Sequence, residues 1–132
     1  MAHTRFHVAA SVAAIAAPGS AALPAWRLVG GNNRVLGRAP EGFVDFETGY
    51  AAVLFLRERI ADAVPVLGVA AETGGRTWRL EIDNVVIARS ARTYLRGREN
   101  LYNLAHFLES VPLAELPVPA RTRDERGRVC LA

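Results

Sequence analysis

Apolar and polar residues alternate over two short stretches that begin at a tryptophan: Trp26-Arg27-Leu28 and Trp78-Arg79-Leu80-Glu81-Ile82. A period of two predicts half-buried β-strands, with Trp26, Leu28, Trp78 and Leu80 as the core-facing set. Phe6, Val8, Ala10 and Val12 alternate in the same way and predict a strand ahead of the first tryptophan. Val66-Leu67-Gly68-Val69-Ala70-Ala71, followed by the turn Thr73-Gly74-Gly75, predicts another ahead of the second. Elsewhere the period lengthens. Phe46, Tyr50, Val53 and Ile60 recur at helical spacing within Asp45–Ala63. Asp45 is placed to cap that helix and Val64-Pro65 to stop it. Leu101, Leu104, Ala105, Leu108 and Val111 predict a second helix over about Arg98–Ser110, ended by Pro112. Residues 112–132 are punctuated by proline and then carry the charge run Arg121–Arg128, which reads as an extended tail.

These elements repeat. Trp26-Arg27-Leu28-Val29 recurs as Trp78-Arg79-Leu80-Glu81, and Asn33-Arg34-Val35-Leu36-Gly37-Arg38-Ala39 recurs as Asn84-Val85-Val86-Ile87-Ala88-Arg89-Ser90. Phe43 then matches Tyr94, and a helix follows each. Hairpin geometry sets the facing. A two-residue turn at Asp83-Asn84 places Ile82 opposite Val85, Leu80 opposite Ile87 and Trp78 opposite Arg89. A three-residue loop at Gly31-Asn32-Asn33 places Leu28 opposite Leu36 and Trp26 opposite Arg38. Each tryptophan is thereby expected to lie beside an arginine, either as a core ring covered by an Arg stem or as a stacking platform. One unit of three strands and a helix, about fifty residues, buries too little surface to be safe alone. The expected fold is therefore α+β: a single domain over residues 1–111 made of two β-β-β-α repeats, about 5–63 and 66–111. It packs one antiparallel sheet against two helices with pseudo-twofold symmetry.

A tryptophan strand, an Asn-containing hairpin, a small residue, an aromatic and then a helix resemble the YegP-like family of small proteins, a domain of unknown function. The residues that carry the likeness are Trp26–Ala39 with Phe43, and Trp78–Ser90 with Tyr94, within about residues 25–111. The resemblance implies the tandem β-β-β-α fold and a tendency to associate, and it supplies no catalytic residues. The family's Tyr-x-Ser-Lys helix start is absent, replaced by Phe43-Val44-Asp45-Phe46 and Tyr94-Leu95-Arg96-Gly97.

Composition bounds the function. The chain has 132 residues, 51% hydrophobic and 22% charged, which is globular and excludes a largely disordered polymer. No apolar run approaches the ~20 residues of a membrane-spanning helix. All of its basic residues are arginine, for a formal charge of +3. Arginine favours bidentate contacts with phosphate or carboxylate, which leaves nucleic acid open as a partner. The lone Cys130 makes no internal disulfide, and a reducing cytoplasm fits it best. Arg5 ahead of Val8–Ala17, then Gly19-Ser20-Ala21-Ala22, also fits a short secretory signal, so secretion after its removal is the alternative.

Chemistry is sparse. His3 and His7 sit in a terminus and a strand, and His106 shares a helix face only with Tyr102, so no metal or cofactor is expected. The glycine pairs lie inside hairpins, away from any helix N-terminus, which rules out a phosphate-cradling loop. No nucleophile–base set stands out, and no enzyme is expected. Arg89, Arg92, Arg96 and Arg98 cluster around the start of the second helix, where the helix dipole disfavours cations, and form the candidate nucleic-acid or anion contact. Leu54, Phe55 and Leu56 widen the apolar face of the first helix beyond what one sheet can cover, and form the candidate self-association surface. The leading expectation is a non-catalytic interaction or scaffold module that self-associates; nucleic-acid binding through the arginine cluster is the alternative.

Overall fold

The computed structural model describes residues 4–10, 23–117, 121–123 and 129–131. Six strands form one antiparallel sheet in the order β1-β2-β3-β6-β5-β4. They are β1 (Arg5–Ala10), β2 (Pro24–Val29), β3 (Val35–Arg38), β4 (Val64–Val69), β5 (Arg76–Ile82) and β6 (Val85–Arg89). Helix α1 (Phe46–Arg59) follows β3, and α2 (Gly97–Ser110) follows β6. Both helices cover the same face of the sheet, α1 over β1 and β2 and α2 over β5 and β3, so the class is α+β.

The core forms between that face and the helices. Trp26, Leu28, Trp78 and Leu80 are each at most 1% exposed, as the alternation requires. Phe107 of α2 lies against both indoles, with ring centroids 6.3 Å from Trp26 and 4.9 Å from Trp78. Phe6 meets Trp26 edge-on at 5.7 Å. Asp45 caps α1 by accepting the Thr48 amide at 2.8 Å and the Thr48 hydroxyl at 2.7 Å; the hydroxyl first, and then the amide, hold its carboxyl below the usual carboxylate range.

Both turns form as expected. Asp83 and Asn84 hold φ of 51° and 65°, the left-handed conformation a two-residue hairpin needs, and Ile82 faces Val85. Gly30 and Arg34 close the three-residue loop at 2.8 Å with Asn33 at φ 64°. Beyond the turns the expected facing fails in both hairpins, for one reason. The register slips between Leu28 and Val29, and again between Leu80 and Glu81. Leu28 then faces Gly37 and Leu80 faces Ala88, where Leu36 and Ile87 had been expected. Trp26 and Trp78 lie beside Ala39 and Ser90, whose amides donate to the tryptophan carbonyls at 2.9 Å. A β-bulge inserts one residue and turns everything after it to the other face. Without it, Arg38 and Arg89 would enter the core beside the indoles as unpaired charges, a cost of several kcal/mol. The expected Trp26/Arg38 and Trp78/Arg89 neighbours are therefore not made.

The helix faces need two further corrections. Leu56 is 1% exposed and belongs to the core; on α1 only Leu54 and Phe55 of the expected patch reach solvent, at 41% and 42%. On α2 the buried line is Asn100, Asn103, Leu104, Phe107 and Ser110, while Leu101 is exposed. The tail is also docked at its start. Ala114 is buried, the Phe6 amide donates to the Glu115 carbonyl at 2.9 Å, and the Glu115 amide donates to the Thr4 carbonyl at 3.1 Å. Farther on, β7 (Arg121–Arg123) and β8 (Val129–Leu131) pair as a separate two-stranded ladder. Val12, the expected small-residue signal segment and most of the charge run lie outside the described residues.

Candidate functional site

The two bulges arrange the face of the sheet that the helices leave open. Read across the strands, the facing residues run His7, Arg27, Arg38, Arg89, Arg79 and Val66. Four arginines thus stand side by side on β2, β3, β6 and β5. At about 4.8 Å per strand their row spans about 14 Å. Arg38 and Arg89 form the central pair, where β3 meets β6.

Their electrostatic state is uneven. Arg79 is held by Glu81 at 2.6 Å. Arg27 donates to His7 Nδ1 at 3.3 Å. A guanidinium can only donate, so that ring nitrogen accepts and the imidazole is neutral. Burial first, then Arg27 and Arg5, hold the His7 pKa below 6.5. Arg38 and Arg89 have no carboxylate partner among the described residues. Burial, and next the charge of Arg89, push the Arg38 pKa down. Arg89 Nε is buried and makes no hydrogen bond. Like charges directly opposite one another destabilise a sheet, and a buried donor without a partner costs about 1–3 kcal/mol. A cavity of about 380 Å³ opens beside the pair, lined by Arg38, Arg79, Arg89, Arg92, Thr77 and Thr93 among others. This arrangement suits an anion that bonds to several guanidinium groups at once.

Of the expected cluster, only Arg89 lies in this row. Arg92 lies in the loop after β6, lines the cavity beside the central pair and stands 5.1 Å over the Tyr94 ring. Arg96 is the residue before α2 and caps nothing with its side chain, and Arg98 lies in the first turn. Arg92 and Arg98 line a second, larger groove of about 750 Å³ between α2 and the β2–β3 hairpin. Arg34, Tyr94, Tyr102 and His106 line it too, with Glu99 as its acidic group. Burial raises the Tyr94 pKa above 10, so its phenol stays a donor. No cluster of metal-ligand side chains forms among the described residues, and no described helix is long and apolar enough to cross a membrane.

Sequence reasoning missed Arg27, Arg38 and Arg79 as site residues because straight hairpins place Arg38 and Arg89 in the core. The usable signal was Gly37 and Ala88. These small residues precede each arginine and fit the crowded core face, where a Cβ on Gly37 would stand 2.5 Å from Phe107. Asn103 was missed as well: its carbonyl accepts the Trp78 indole N–H at 2.6 Å, and Asn100 donates to the Thr77 carbonyl at 2.8 Å. Both fix β5, which carries Arg79.

No family model and no curated protein matches the sequence. Two solved structures do match the fold. The solution structure of YegP from E. coli, a protein of unknown function, superposes with a TM-score of 0.60 over 89% of this chain and 92% of its own, at 15% identity. That of a UPF0339 protein from Shewanella oneidensis gives 0.59 over 86% and 89%, at 14% identity. At this identity the likeness is one of architecture: the chain has the α+β fold of the YegP and UPF0339 structures.

Proposed function

We propose that the protein is a non-catalytic binding module whose open sheet face holds the phosphate backbone of a nucleic acid. The observation that carries this reading is the row Arg27, Arg38, Arg89 and Arg79, with Arg89 Nε buried and unpartnered. The like charges of the central pair, Arg38 and Arg89, oppose folding, and an anion lying across them relieves that repulsion. The row offers a phosphate backbone a cationic track about 14 Å long. Arginine forks bind phosphate oxygens in pairs, and such contacts position a nucleic acid without reading its sequence. The same row supports the duplication read in the sequence: a bulge falls after the matching leucine in each half and delivers one arginine from each to the central pair.

The test is the salt dependence of oligonucleotide binding. Removing one phosphate-contacting arginine lowers the slope of log K against log salt by about 0.7 for a single strand. Arg38→Ala and Arg89→Ala are expected to do so, and Arg57→Ala, on the helix side and hydrogen-bonded to the Pro112 carbonyl, is not. Equal slopes for all of these variants would end the reading. Tighter binding of polyglutamate than of an oligonucleotide would assign the face to acidic protein instead.

Self-association is the second reading, and it now rests on another surface. The β1 edge is closed by Glu115, but the β4 edge is open, with Val64, Leu67 and Val69 each more than half exposed. Sedimentation as a monomer at high concentration would remove it. A dimer dissociated by Leu67→Lys would support it.

A further inference from the structure

Resting on the sheet-face reading, we propose that the ligand is single-stranded, with its bases stacked in the groove beside α2 while its phosphates cross the sheet. Two observations join the surfaces. Arg92 lines both the cavity beside Arg38 and Arg89 and the larger groove, so the two meet at that side chain. The groove also holds aromatic rings, which a site for phosphate alone does not require. Tyr102 is 74% exposed although it lies on a packed helix. Arg98, Tyr102 and His106 follow at intervals of four residues, which puts them on one stripe of α2 about 12 Å long. His106 lies 6.4 Å from Tyr102, ring centre to ring centre.

The opposite wall is made by the β2–β3 hairpin, with Arg34, and by the loop carrying Arg92 and Tyr94. The groove therefore combines three guanidinium groups with three aromatic side chains, against one acid, Glu99. Its volume of about 750 Å³ falls in the range of sites that enclose a drug-sized ligand. Cationic tracks bearing aromatic platforms bind unpaired bases, because every base offers a π-face and the backbone a charge. A duplex hides those faces, and an acidic peptide offers one only where it carries an aromatic residue.

The experiment titrates the full chain with a fluorescein-labelled single-stranded oligothymidylate of about a dozen nucleotides. Parallel titrations use an abasic oligonucleotide of the same length and a duplex. We expect the single strand to bind at least about fivefold more tightly than the abasic one. Tyr102→Ala should lose that difference, and His106→Ala part of it, while leaving abasic binding unchanged. Tyr102 is exposed, so retained circular dichroism is expected for its variant. Equal binding of the abasic and normal strands, with Tyr102→Ala silent, would overturn this inference. If Arg38→Ala and Arg89→Ala still weaken both ligands, the sheet-face reading survives that result. If they weaken neither, the sheet-face reading fails. Preference for the duplex would also overturn the inference.

Discussion

Arg38 and Arg89 stand opposite each other where β3 meets β6, and theirs is the pair that registers the two halves of the sheet. Two cations at the seam repel, and neither has a carboxylate to relieve it among the described residues. Arg38→Ala is therefore expected to raise stability at low salt by a few tenths to about 1 kcal/mol. The gain should shrink as salt rises, because the charges lie near solvent. Thermal unfolding at two ionic strengths measures it. A polyanion should stabilise the parent chain more than the variant.

Glu81 competes with any bound anion, since its carboxylate holds Arg79 at 2.6 Å. Glu81→Gln frees that guanidinium. Oligonucleotide affinity should rise by about two- to fivefold, the scale of an exposed ion pair. Fluorescence anisotropy at fixed salt reads the change.

His7 extends the row at its β1 end, next to Arg27. Its folded pKa lies below 6.5, through burial and then the charges of Arg27 and Arg5. The unfolded chain therefore takes up the proton first, and the His7 contribution to stability is lost as pH falls from 6.5 through the folded value. A bound polyanion favours the imidazolium, so affinity should increase over the same range. His7→Gln should remove that part of the pH dependence, as measured by titrations at pH values on either side of 6.5.

Phe107 supports the row from beneath, packed between the two indoles and fully buried. Phe107→Ala should cost about 3–5 kcal/mol. Gly37→Ala, which pushes a methyl group into the same ring, should cost about 1–3 kcal/mol. Asn103→Leu strands the buried Trp78 indole N–H and should cost about 1–3 kcal/mol. Urea denaturation gives all three values.

The elements were legible because their signals are local. Alternation around Trp26 and Trp78 located two strands, and positive-φ residues located both turns. Asp45 marked the start of α1, but the helix ends at Arg59, short of the expected Ala63, and Val64-Pro65 open β4. The face of each element's later half was not legible. A bulge leaves no mark on a period-two count, and its cause is non-local: a charge kept out of a core that forms only when α2 docks. Leu56 was misplaced for a similar reason. Three consecutive apolar residues on a helix cannot show which one the sheet takes. Asn100 and Asn103 carry no sequence signal of burial, because their partners, Thr77 and Trp78, are more than twenty residues away.

Arginine Nε–Hε resonances, followed by NMR as a single-stranded oligonucleotide is added, report directly whether the open sheet face holds it. The signals of Arg27, Arg38, Arg79 and Arg89 are expected to move together and saturate at one ligand concentration, with Arg89 most affected. Shifts confined to the arginines of the C-terminal run, with these four unmoved, would contradict it.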